Sequence, residues 1–140
     1  VRRWSPPTKH SFAALGLIVA AVALAGIIAE YAEQRTQLRE HAEAITGGDP
    51  WRGEALFIHY GCGSCHALSD VRTATGSVGP PLDGIALRVI LAGKLSNTPT
   101  NMERWIHDPQ SVTPGTAMPR LGVSQGDARD ITAFLYTRAK

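Results

Sequence analysis

The sequence predicts a mainly α fold: a small helical domain preceded by a single N-terminal transmembrane helix and a helical linker. Three observations carry this. Phe12 to Ala29 is an 18-residue apolar run without a charge. Glu30 to Thr46 is rich in Glu, Arg, Gln and Ala, all good helix formers. Beyond it, helix-capping residues at Asp49, Thr100 and Ser124 open apolar stretches, while the intervening segments are broken by Gly and Pro.

At about 1.5 Å per residue the apolar run makes a helix roughly 27 Å long, close to the hydrocarbon thickness of a bilayer. Arg2, Arg3 and Lys9 precede it, so the positive-inside rule keeps residues 1–11 in the cytoplasm and sends everything after Glu30 across. Trp4 and Tyr31 flank the run where interfacial aromatic residues belong. A secretory signal sequence is the rival reading, with Ala23-Leu24-Ala25 as a cleavage site. The run is longer than the ~7–15 residues of a signal core, and the expectation is a retained anchor over 12–29. Gly16 with Ala20 and Ala21 with Ala25 are spaced for close helix packing, a pattern that Ala-rich helices also produce by chance.

The charges of residues 30–46 scatter around a helix, which makes a solvated spacer the default and a partner-docking helix the sharper alternative. Gly47-Gly48 ends it, giving a linker over 30–48. Asp49 and Pro50 then open the next helix as N-cap and first residue, and Gly61 stops it.

Immediately afterwards stands Cys62-Gly63-Ser64-Cys65-His66, a CxxCH motif. Two thiols at this spacing can each join one vinyl group of a haem, with the adjacent imidazole as an axial iron ligand; this is the attachment motif of haem c. The competing readings each lack something. A thioredoxin-like pair wants a βαβ context, and no strand runs up to Cys62. A structural zinc wants four ligands, and there is no second Cys pair. A CxxC disulfide would close too short a loop to stabilise much. One covalent haem would use both cysteines of the chain and imply the oxidising side of a membrane.

The second axial ligand is expected at Met118, in the turn-rich stretch Pro114-Gly115-Thr116-Ala117-Met118-Pro119, though a core gap-filler is the plainer role for a Met. Met102 falls at a helix start, where Thr100 and Glu103 match a capping box. His59 and His107 are alternative ligands in principle, both on expected helices. Between Leu68 and Asn101 only Ile85 to Ala92 reads as a short helix, and the rest as loop. Gln125 to Thr137 is the terminal helix, capped by Ser124, with Asp127 and Asp130 early and Arg138 and Lys140 at its end.

With these residues in place, 49–140 resembles the class I cytochrome c family. Gly53 and Phe57 match the small and aromatic positions of the family's first helix, facing Ile131 and Phe134 of the last. Gly79-Pro80-Pro81-Leu82 resembles the segment whose Pro carbonyl binds the ligand His, which implies that role for Pro80. The resemblance further implies a haem-propionate contact for Arg88 and an aromatic neighbour of the Met ligand in Trp105. Asn97-Thr98-Pro99, Trp105-Ile106, Asp108-Pro109 and Pro114-Gly115-Thr116 resemble, in order, the cytochrome c domain of caa3-type haem-copper oxidase subunit II. The copper-binding part of that subunit has no counterpart here, so the resemblance concerns the electron-entry domain alone.

Residues 30–140 hold 11 Lys plus Arg against 12 Asp plus Glu, which excludes the basic footprint of a nucleic-acid binder and the Lys-rich face of electrostatically steered carriers. The expected function is electron transfer rather than catalysis. The protein is expected to be a respiratory-chain cytochrome of the bacterial inner membrane, its haem domain periplasmic. A terminal oxidase is the expected acceptor and a quinol-oxidising complex the possible donor. The alternatives are a haem c subunit of a dehydrogenase or other respiratory complex and, with Met118 labile, a haem peroxidase or gas sensor.

Overall fold

A computed structural model describes residues 9–139, with side chains from residue 13 onward. Arg2, Arg3, Trp4 and Lys140, which figured in the sequence reading, lie outside the described residues. The chain divides into two compact units inside its first helix, the first ending at Thr36 and the second beginning at Gln37.

Helix α1 runs from Lys9 to Thr46. Within the first unit its apolar side chains are bare, Leu17 at 72% and Val22 at 67% exposure. By length and composition α1 is able to cross a bilayer. Gly47, at φ +69°, ends it, its N–H donating to the Glu43 carbonyl at 2.8 Å.

The second unit is α-helical. Helix α2 spans Pro50–His59, α3 Pro99–His107, α4 Pro109–Val112 and α5 Gln125–Tyr136. Asp49 caps α2 by accepting from the N–H groups of Trp51 and Arg52, and Gly61 in the left-handed conformation turns the chain away after it. Ser124 caps α5 through the Asp127 N–H. Helices α2 and α5 form the scaffold, crossing at Gly53, where a β-carbon would lie 2.9 Å from the Phe134 Cβ. The missing side chain lets the backbones meet, and Phe57 packs beside the crossing with its ring centroid 5.5 Å from that of Phe134. Phe57, Ile131, Phe134, Leu68, Met102 and Ile106 fill the core, all buried. Full burial of such a side chain contributes roughly 1.5–3 kcal/mol.

A polar seam reinforces the crossing. Arg52 donates to both Asp127 and Asp130. Tyr60 donates its hydroxyl to Asp127 at 2.8 Å, and the Asp49 N–H donates to Asp130 at 2.8 Å. The hydrogen bond from Tyr60, with those from Ser124 and Arg52, holds the Asp127 carboxyl below the usual carboxylate range.

Three expectations are corrected. The cap of α3 is Thr98, which accepts from the Asn101 N–H, rather than Thr100: Pro99 lacks an N–H and suits the first helical position, which moves the cap one residue before it. Glu103 instead accepts from Arg129 at 3.4 Å. Residues 85–92 are not a helix; a 3₁₀ turn at Ile85–Leu87 leads into a small hairpin of β1, Ile90–Leu91, and β2, Leu95–Ser96, in antiparallel register with Leu91 opposite Leu95. Its turn places Ala92 and Gly93 at φ +51° and +72°, the left-handed pair a tight hairpin needs. Finally, the last turns of α1 are no solvated spacer. Ala42 is 1% exposed, the Arg39 guanidinium lies 3.4 Å from the Trp51 ring centroid, and Arg39 also donates to Glu54 at 3.2 Å.

Candidate functional site

Gly61, at φ +70°, bends the chain so that Cys62–Ser64 closes a 3₁₀ turn directly after α2. The Cys65 and His66 N–H groups both donate to the Cys62 carbonyl, at 3.3 and 3.0 Å, winding the two thiols and the imidazole around one turn. The following loop locks this turn from outside. Gly76 N–H donates to the Gly63 carbonyl at 3.0 Å and Gly79 N–H to the Cys65 carbonyl at 2.8 Å. Gly63 is itself pressed on Ala74, with no room for a side chain.

The His66 ring is fixed from two sides. Its Nδ1 is 2.8 Å from the Pro80 carbonyl oxygen, which only accepts, so Nδ1 carries the proton and Nε2 keeps its lone pair for a metal. Gly79 packs against the same ring: a β-carbon there would stand 2.6 Å from Nδ1 and 2.8 Å from Nε2.

These residues open onto a cavity of about 590 Å³. Its lining includes Cys62, Cys65, His66, Pro80, Arg88, Trp105 and Met118, so the structure brings together all seven residues singled out in the sequence. Apolar neighbours, among them Phe57, Leu82, Ile85 and Ile131, line much of the rest. Met102 is buried in the core outside this lining, and neither His59 nor His107 takes part in it. His107 instead pairs its Nδ1 with the Val123 carbonyl at 2.8 Å. Arg88 is turned back on its own loop, donating to the Pro81 carbonyl, while Asn97 donates to the Ile85 and Arg88 carbonyls at 2.8 and 2.9 Å and so fixes the backbone that carries it. Sequence reasoning assigned no part to Gln110, whose carboxamide binds the main chain around Met118.

The chemistry of this lining suits a flat, largely apolar, iron-bearing macrocycle. The volume falls in the range of ligand pockets, roughly 300–1,000 Å³. Two thiols, an oriented imidazole and a half-buried thioether all line the cavity. Other uses of the cysteines fit poorly. Burial pushes the Cys62 thiol up to about 11, which disfavours the reactive thiolate of a redox pair. Among the described residues no group of three or more His, Cys, Asp or Glu side chains is placed to hold a metal ion.

Comparison with known proteins agrees with this geometry. The family profile of cytochrome c matches residues 51–139. Cytochrome c oxidase subunit 2 of Alkalihalophilus pseudofirmus is 35% identical over 85 residues, covering 60% of this chain and 24% of the relative. The protein of the same name from Bacillus subtilis is 34% identical over 83 residues, covering 55% and 23%. Cytochrome c2 of Rhodomicrobium vannielii is 27% identical over 115 residues, covering 69% and 85%. The chain thus spans about a quarter of the length of the oxidase subunits it matches. No solved structure matches it. With the profile covering the second unit nearly from α2 to its end, the chain belongs to the cytochrome c family, haem-binding proteins of electron transfer.

Proposed function

We propose that this protein is a membrane-anchored c-type cytochrome with one covalent haem, relaying single electrons in a bacterial respiratory chain to a terminal haem-copper oxidase. The observation that carries the reading is the shared cavity of Cys62, Cys65, His66 and Met118. A haem bound there supplies a reversible one-electron iron couple. Cys62 and Cys65 would hold it through thioether bonds, and His66, through Nε2, and Met118 would ligate its iron. Pro80 holds the imidazole tautomer, Arg88 is available to a propionate, and Trp105 screens the cavity from water. Were both ligands in place, the protein would saturate the iron and leave substrate no position on it, which suits a carrier rather than a catalyst.

The rest of the chain fits that role. Residues 12–29 cross the inner membrane with residues 1–11 in the cytoplasm, and residues 30–48 lead to a periplasmic haem domain over 49–140. Two relatives named as oxidase subunits support an oxidase as acceptor, with a quinol-oxidising complex as donor. Tethering raises the local concentration at partners in the same membrane, so the near-neutral charge of residues 30–140 is no handicap.

The test is purification of the full chain from membranes in mild detergent. We expect haem that survives denaturing electrophoresis, a weak Met-to-iron band in the oxidised spectrum, little CO binding when reduced, and an oxidase among the copurifying proteins. Haem lost on denaturation sinks the attachment reading. A flavin or quinone enzyme as sole companion replaces the acceptor with a dehydrogenase.

A further inference from the structure

We infer that Gln110 is a positioning residue for Met118, holding the loop that presents the thioether to the cavity. This rests on the reading of Met118 as an iron ligand. The Gln110 Nε2 donates to the carbonyls of Thr116 and Met118, both at 2.9 Å, and its Oε1 accepts from the Gly115 N–H at 3.0 Å. Both donors and the acceptor of one side chain are therefore committed to a four-residue stretch ending on the proposed ligand.

The loop needs such a fixing. From Pro114 to Arg120 the main chain belongs to no helix or strand, and among the described residues its main-chain bond is Thr116 N–H to the Thr113 carbonyl at 3.1 Å. Gly115 takes φ +81°. Gln110 itself sits on α4, whose Pro109 is buried and whose cap Asp108 accepts from the Ser111 N–H at 3.1 Å. The same Asp108 grips Arg120, two residues beyond Met118, through Nε at 2.6 Å and Nη2 at 2.8 Å. Residues 108–110 thus form a template for residues 115–120. A thioether is a neutral, weakly held ligand, so its occupancy of iron depends on how much of its conformational freedom the protein has already removed.

The test compares Gln110→Ala and Gln110→Glu with the wild-type holoprotein. Gln110→Glu keeps the acceptor for Gly115 but sets a carboxylate against two carbonyls. Each hydrogen bond is worth roughly a two- to tenfold change in an equilibrium. We expect loss or marked weakening of the Met-to-iron band in both variants, and CO binding to the reduced protein tighter by about tenfold to a hundredfold. Thr132→Val, which removes a buried bond to the Ala128 carbonyl on α5, serves as the stability control; it should lower the melting temperature and leave band and CO affinity alone. A wild-type band that persists unchanged in both Gln110 variants overturns the positioning role while sparing the ligand. A wild-type protein without the band, or a Met118→Ala variant with an unaltered spectrum, overturns the ligand reading and the role of Gln110 together.

Discussion

Gly53 meets the main chain of Asp130 so closely that the α2–α5 crossing has no space for a side chain at that point. Both backbones are held, one by the Asp49 cap and the other by the Arg52 bridge, so neither retreats cheaply.

Gly53→Ala should therefore destabilise the protein by about 3 kcal/mol or more, at the upper end of the cost of overpacking. Denaturant titration of the holoprotein measures it; a loss below about 1 kcal/mol would mean that the helices separate freely.

Gly79→Ala should strike the site and not the scaffold. A β-carbon 2.6 Å from Nδ1 of His66 must push the imidazole off the Pro80 carbonyl. The expected result is a severalfold lower yield of holoprotein, read as haem per chain, with secondary structure retained in what is recovered.

Acid should weaken the α2–α5 seam through Asp127. Its carboxyl is depressed in the folded protein, first by Tyr60, then by Ser124 and Arg52. A depressed carboxyl adds stability that is fully present above its unfolded value, about 3.9, and drains away as pH falls through the lower folded value. Asp127→Asn should flatten the acid limb of the stability profile below about pH 4. An unchanged limb would assign acid sensitivity elsewhere, with Asp108, depressed by Arg120, as the next group to remove.

Arg39→Ala should loosen the last turns of α1. A cation–π contact of this kind is worth about 1 kcal/mol, and the substitution also takes away a hydrogen bond to Glu54. Hydrogen exchange should quicken across residues 40–46 while α5 stays protected. Equal acceleration in both would show that the two regions open as one.

Much of the site was legible because its chemistry is contiguous or sits on punctuated stretches. CxxCH is five consecutive residues, and Asp49, Gly61 and Ser124 act on neighbours two or three positions away. Met118 stood out because Pro and Gly leave its surroundings no regular structure. The hairpin at 90–96 carried no such mark: Ala92 in a left-handed conformation is a choice that tertiary packing imposes and that local preference opposes. Thr98 and Thr100 are both plausible caps by type, and Pro99 decides between them. Gln110 and Arg39 were opaque for another reason. Glutamines and arginines on helices are ordinarily solvated, and only the folded chain reveals that one meets a loop five residues on and the other a Trp twelve residues on.

The place of Arg39 and Ala42 inside the second unit also bears on how a soluble fragment is cut. The pair of glycines at 47 and 48 invites a start at Asp49, yet that cut takes Arg39 away from the Trp51 ring and removes the buried Ala42. It would also leave Glu54 without one of its arginines. Ten or so residues of apparent stalk belong to the body, and a fragment begun at Gln37 keeps them.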